Sequence, residues 1–248
     1  MRLVFALLAV TLCLLLPLSA DHKNQVFSDF TIPMPLKAGD TLVIGIVGGW
    51  QPWDAKERIV RRIALRVRES NLPNTYVETV ENHKLYLAEQ LVQKALDLDQ
   101  DGKIAGAERT AVKVILFGQS LGGRAVLRFS RTLDDWGIPV RRAIVIDAFG
   151  LGSREVPANV REVANLYQQF HPVLRGWSKL KIADRSRTQL LGNWKYTYCG
   201  KKIDTSEDIL LHRVFLGGHT MMEFDPEVWA RVQSLLEEAV TESPTQAR

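Results

Sequence analysis

Short unbroken apolar runs alternate along this chain with longer stretches in which apolar residues recur every three or four positions. Thr41-Leu42-Val43-Ile44-Gly45-Ile46-Val47 is the first run, a mostly β-branched stretch of the kind buried on both faces of a parallel sheet. Gly48-Gly49-Trp50 ends it, and Ile59, Val60, Ile63 and Val67 then share one helix face. Asp54 followed by Glu57 predicts a capping box at the start of that helix. Residues 74–80 alternate tyrosine and β-branched residues with polar ones, which predicts a strand, and Leu87, Leu91 and Ala95 give residues 85–96 a helical stripe. Val114-Ile115-Leu116-Phe117 is the next apolar run; past a glycine-flanked turn, Ala125, Val126, Phe129 and Leu133 return to helical spacing.

The second half continues the alternation. Residues 142–146 read as a buried strand, and the spacing of Val160, Val163, Ala164 and Tyr167 predicts a helix over residues 155–167. Residues 168–188 are irregular and are expected to lie over the site, residues 189–198 have strand character, and residues 201–208 form a polar loop. A last short strand is predicted over residues 210–216. Asp225-Pro226 then supplies an N-cap and a first helical residue for a closing helix with Val228, Trp229, Val232, Leu235 and Leu236 on its buried stripe. The pattern as a whole predicts an α/β fold, a mostly parallel central sheet with helices on both faces.

Length and composition fit one such domain over residues 21–248: the chain has 248 residues, 46% hydrophobic and 24% charged, and shows no repeat or linker. The net charge of +4 is small against 32 basic and 28 acidic residues, and no basic block interleaved with aromatics occurs, which argues against a nucleic-acid partner. Residues 1–20 stand apart. Arg2 precedes an almost wholly apolar Leu3–Leu16, and Pro17-Leu18-Ser19-Ala20 ends in small residues, the pattern of a secretory signal peptide cut near Ala20. The alternative is an uncleaved anchor, since Leu18 is a poor residue at the third position before the cut. Contact with a membrane is expected only through this segment, and the protein cleaved near Ala20 is expected to be secreted or periplasmic. Cleavage removes Cys13 and leaves Cys199 alone, so the mature chain forms no internal disulfide.

Two strings carry candidate chemistry. In Gly118-Gln119-Ser120-Leu121-Gly122-Gly123 a strand meets a helix at a turn too tight for side chains, which presents the Ser120 hydroxyl at its apex. A serine needs a base, and the base needs an orienting acid. His219, in the glycine turn before the closing helix, is the histidine placed for the base; His22, His83, His171 and His212 lack comparable placement. Asp147, closing the strand after the serine's helix, is the first candidate acid, with Asp204 and Asp208 as rivals. The glycine loop at residues 48–50 either supplies backbone N–H donors to an oxyanion or is only a tight turn.

In the second string, residues 97–108, carboxylates fall at loop positions one, three, five and twelve (Asp97, Asp99, Asp101 and Glu108), with Gly102 at six and Ile104 at eight. That spacing wraps side-chain oxygens and the Lys103 carbonyl, at position seven, around one calcium ion. It resembles the loop of an EF-hand. Residues 109–113 leave room for barely one helical turn, so a full helix-loop-helix is not expected and the Ca2+ role is structural, with an affinity of about 10⁻⁴–10⁻³ M.

The elbow, Asp147 and His219 together resemble the α/β-hydrolase superfamily, most closely its lipase and esterase branch, over residues 41–240. The resemblance implies a compact α/β-hydrolase fold and a Ser120-His219-Asp147 triad. It also implies an oxyanion hole from the Leu121 N–H with one from Gly49 or Trp50, and a small-molecule or lipid carboxylic ester as substrate. Two positions depart from that branch: Val47-Gly48-Gly49-Trp50 replaces an HGG-type string, and Phe149 follows Ala148 where a proline-rich turn is usual. The alternatives are a non-catalytic calcium-binding exported protein on the same scaffold, or an amidase or thioesterase. Oligomeric state is not readable from the sequence.

Overall fold

The computed structural model describes residues 23–171, 174–208 and 217–242. The predicted signal peptide at 1–20, the predicted strand at 210–216, His22 and His212 lie outside them.

A six-stranded sheet forms the centre, in the order β2-β1-β3-β4-β6-β8. Its strands are β1 (Thr41–Val47), β2 (Thr75–Glu81), β3 (Lys113–Gln119), β4 (Val140–Ile146), β6 (Val160–Gln168) and β8 (Gln189–Tyr196). Every pairing within it is parallel. Two short strands, β5 (Glu155–Val156) and β7 (Lys181–Ile182), pair beside it. Because both faces are covered, β1, β3 and β4 are buried along almost their whole length, as their unbroken apolar runs require.

Helices α1 (Ile59–Glu69) and α6 (Pro226–Thr241) cover one face, where Ile63, Val67, Trp229 and Leu236 pack with Val43, Phe117 and Ile144. Helices α2 (Leu85–Leu96) and α4 (Leu121–Asp135) cover the other, where Leu91, Val126 and Phe129 pack with Leu42, Leu116 and Val145. Helices α3 (Glu108–Ala111) and α5 (Gly218–Phe224) are short. The arrangement is the expected α/β-hydrolase-like one. Strand order reverses direction at β1 and β3, and ligands of open α/β sheets bind at the carboxyl end of such a switch point. Among the described residues no helix is long and apolar enough to cross a membrane.

Two expectations fail. Residues 155–167 form β5 and most of β6, not a helix. The period-3.6 spacing of Val160, Val163, Ala164 and Tyr167 is coincidental in a strand buried on both faces between β4 and β8, where apolar residues need not alternate. The Asp54/Glu57 capping box is also not formed: α1 starts at Ile59 with Arg58 as its N-cap, and no side-chain cap bond is made. Residues 53–54 and 56–57 are turns instead. The Asp225-Pro226 start is as predicted, with the Asp225 carboxylate accepting from the Glu227 N–H.

Candidate active site

The turn after β3 is as tight as its glycines imply. A Cβ on Gly122 would lie 2.0 Å from the Ile46 carbonyl oxygen, and one on Gly118 would lie 2.6 Å from the Gly122 oxygen. Between them Ser120 takes φ 61° and ψ −124°, a left-handed φ that a side-chain-bearing residue holds only when its surroundings impose it. Its N–H donates to the Ile146 carbonyl at 2.8 Å, tying the elbow to the last residue of β4. The next residue, Asp147, is also left-handed at φ 44°, and its N–H donates to the Leu166 carbonyl at 2.7 Å.

His219 reaches this edge from α5, as the second residue of a short helix rather than from an open glycine turn. Its Nδ1 lies 2.6 Å from Asp147 Oδ2 and its Nε2 lies 3.0 Å from Ser120 Oγ. A carboxylate only accepts, so Nδ1 carries the proton and Nε2 is left to accept from the serine hydroxyl. All three residues are buried, Ser120 and His219 at 3% exposure and Asp147 at 0%. Burial works against the His219 cation, but the Asp147 hydrogen bond and charge, with smaller help from Glu223 and Asp208, raise its pKa above the ordinary 6.5.

The rival acids are engaged elsewhere. Asp208 Oδ1 lies 3.0 Å from Arg58 Nη2, and an Asp204 oxygen accepts from the Ser206 N–H. Arg58 also contacts Glu223 Oε1 at 3.2 Å, and Glu223 sits one turn beyond His219 in α5. Gln51 Nε2 donates to the same Glu223 oxygen at 3.1 Å, so the loop after β1 and the helix of His219 share one buried polar cluster.

The sequence predicts that residues 168–188 lie over the site, but not which of them wrap Asp147. The Gln168 backbone N–H donates to Asp147 Oδ1 and its side-chain Nε2 to Oδ2, both at 3.2 Å, while Nε2 also donates to the Leu174 carbonyl. Gly176 packs so closely that a Cβ there would lie 2.1 Å from Asp147 Oδ1. Phe149 sets its ring edge-to-face with His219 at 5.3 Å. Phe149 was legible as a neighbour of Asp147, whereas Gln168 and Gly176 carry no local signal of their contacts.

For the oxyanion donors, Leu121 is the first residue of α4, so its N–H has no acceptor within the helix. Gly48 is pressed against the elbow, a Cβ there lying 3.1 Å from Ser120 Cβ. Asn82 Nδ2 donates to the carbonyls of Val47 and Gly49, which fixes the loop carrying Gly49 and Trp50. Trp50 is exposed and rests on His83.

The acidic loop lies at the other end of β3. Asp97, Asp99 and Glu108 bring one carboxylate oxygen each within 4.8 Å of one another and could hold a cation, a grouping found once among the described residues; Asp101 is not in that group, its Oδ1 accepting from the Lys103 N–H.

No family model and no curated protein sequence matches the chain. Among solved structures, it is similar to a cutinase-like protein from Cryptococcus sp. at 12% identity and TM-score 0.42, covering 84% of this chain and 99% of that one. It is also similar to an acetylxylan esterase at 8% identity and TM-score 0.41, covering 83% and 99%. Likeness of that order says nothing about the reaction, which depends on side chains.

Proposed function

We propose that this chain is an exported serine hydrolase that cleaves a carboxylic ester of a small molecule or lipid through an acyl-enzyme. The observation that carries the reading is the unbroken chain of contacts from Ser120 Oγ through His219 to Asp147, buried at the carboxyl edge of a parallel sheet. Ser120 Oγ attacks the ester carbonyl carbon as His219 Nε2 takes its proton, and Asp147 stabilises the imidazolium that results. The tetrahedral oxyanion is held by the Leu121 N–H together with that of Gly49 or Trp50. Collapse expels the alcohol, which takes the proton back from His219. Water, activated by the same imidazole, then releases the acid and restores Ser120.

The preference for an ester over an amide or thioester follows from the resemblance to lipases and esterases, because the triad alone does not choose the leaving group. Export rests on the pattern of residues 1–20. The test is covalent labelling of the folded protein with a fluorophosphonate: the parent is expected to be labelled at one site and Ser120→Ala not at all. A folded parent protein that takes up no label would overturn the proposal.

A further inference from the structure

Residues 97–108 join α2 to α3 and β3, at the edge of the sheet away from Ser120. Several features bear on what this loop holds. Asp97 is only 7% exposed, yet its Oδ1 has no hydrogen-bond partner. Its Oδ2 accepts from the Gly102 N–H at 3.0 Å, so the carboxylate is turned into the loop with one oxygen unsatisfied. A buried carboxylate oxygen without a donor is costly and calls for an ion or water. Lys94, Lys103 and Arg109 line the adjoining cavity of about 330 Å³, and none of them hydrogen-bonds Asp97 Oδ1. Meanwhile Asp99 and Glu108 place oxygens within 4.8 Å of an Asp97 oxygen, a concentration of negative charge.

The loop is already shaped. Gly102 has φ +86°, which a residue with a Cβ rarely adopts. Glu108 Oε1 accepts from the N–H groups of Leu98 and Asp99, and Oε2 from that of Ala105, so the twelfth position is drawn back over the first. One oxygen each of Asp97, Asp99 and Glu108 is thereby already gathered within 4.8 Å of the others.

We propose that this loop binds one calcium ion through Asp97, Asp99, Glu108 and the Lys103 carbonyl, and that the ion is a clamp on the sheet rather than a participant in catalysis. An all-oxygen set with a carboxylate able to bind bidentately suits Ca2+ better than Mg2+, which demands a near-ideal octahedron and retains its waters. The clamp role follows from position. The Leu36 N–H donates to the Ala95 carbonyl at 2.9 Å and the Gly39 N–H to the Ala111 carbonyl at 2.8 Å, so the lead into β1 is bonded to both flanks of the loop. An ion there fixes the starting ends of β1 and β3 together. Ser120 lies at the far end of the seven-residue β3, about 20 Å away.

The inference is independent of the hydrolase reading, because its main readout needs no substrate. The protein is stripped with EGTA and its thermal midpoint followed during titration with calcium chloride, with magnesium chloride in parallel. Calcium at 10 mM is expected to raise the midpoint by about 3–10 °C, magnesium far less, and Asp97→Asn and Asp99→Asn to remove the response. Hydrolysis measured well below every midpoint is expected to change less than twofold on adding calcium. A parent protein whose midpoint ignores calcium, or responds equally to magnesium, overturns the site. A midpoint that responds together with activity that requires the ion overturns the clamp role and leaves the site standing.

Discussion

Replacing Arg58 with methionine tests how much of the candidate site depends on charge buried beneath it. Arg58 is 1% exposed and lies between Asp208, 5% exposed, and Glu223, 6% exposed. Burial alone would weaken its cation, but the two carboxylates outweigh that and hold its pKa above the ordinary arginine value. Methionine keeps most of the length and removes the charge, leaving two buried carboxylates facing each other. Breaking a buried pair from one side costs about 3–5 kcal/mol. For a chain of this size that is a fall in Tm of about 6–20 °C. A second consequence is specific to the site. Glu223 holds α5 against the loop after β1, and α5 carries His219, whose Nε2 must stay 3.0 Å from Ser120 Oγ. Hydrolysis by Arg58→Met, measured well below its midpoint, should therefore fall mainly in kcat. Arg58→Lys, which keeps the charge but not the planar fork spanning both acids, should lie between. Calorimetry and a steady-state ester assay read both effects. A Tm loss equivalent to less than about 1 kcal/mol in Arg58→Met would refute the argument, since it would mean the cluster is already solvated.

Two further outcomes follow from the geometry of Asp147 and His219. Because Asp147 raises the His219 pKa above 6.5 and the imidazole must be neutral to accept a proton, kcat/KM should rise with pH through a midpoint above 6.5. The linked stability runs the other way: a raised folded pKa stabilises the fold fully below the unfolded value and is lost as pH climbs through the folded one. A pH-rate profile with its midpoint clearly below 6.5 would contradict this. Gly176→Ala inserts a methyl 2.1 Å from Asp147 Oδ1, which must displace the carboxylate from His219. It should lower kcat by about 10²-fold or more while costing only about 1–3 kcal/mol of stability; wild-type kcat in this variant would show that Asp147 is not held as described.

How legible these features were in the sequence depended on how local their causes are. The elbow was readable because its signal lies within six residues, the glycines at 118 and 122, even though part of the backbone that leaves no room for a Cβ there belongs to Ile46 in β1. Asp147 was readable as a strand end, and the preference for it over Asp208 followed only from its place beside Ser120 in a parallel sheet. The pairing that settles their different surroundings, Asp208 with Arg58, spans 150 positions and leaves no local trace. Strand β6 was misread for a different reason. Glu162 lies within it, 8% exposed, beside apolar neighbours, and it is tolerated because Arg141 and Arg142 both reach it. A buried charge satisfied from another strand removes the alternation, or the unbroken apolar run, by which a strand is recognised. Gln168 and Gly176 escaped notice likewise, since each matters only through an Asp147 more than twenty positions away.

Strand β3 thus separates two demands that compete in any such protein. At the carboxyl ends of β3 and its neighbour β4, Ser120 and Asp147 hold φ angles of 61° and 44°, strained values costing about 1–3 kcal/mol each. They persist because Ser120 is bonded to Ile146, Asp147 to Leu166, and the Asp147 carboxylate to Gln168 and His219. Relaxing that edge to gain stability would move the atoms that have to meet. Stability is therefore better added where no reacting group is near, and the starting end of β3 is such a place. There the flanks of residues 97–108 already bond the lead into β1, and a cation bound to Asp97, Asp99 and Glu108 would tighten two central strands at once. The distance between the two ends is what allows the loop to strengthen the sheet without disturbing Ser120.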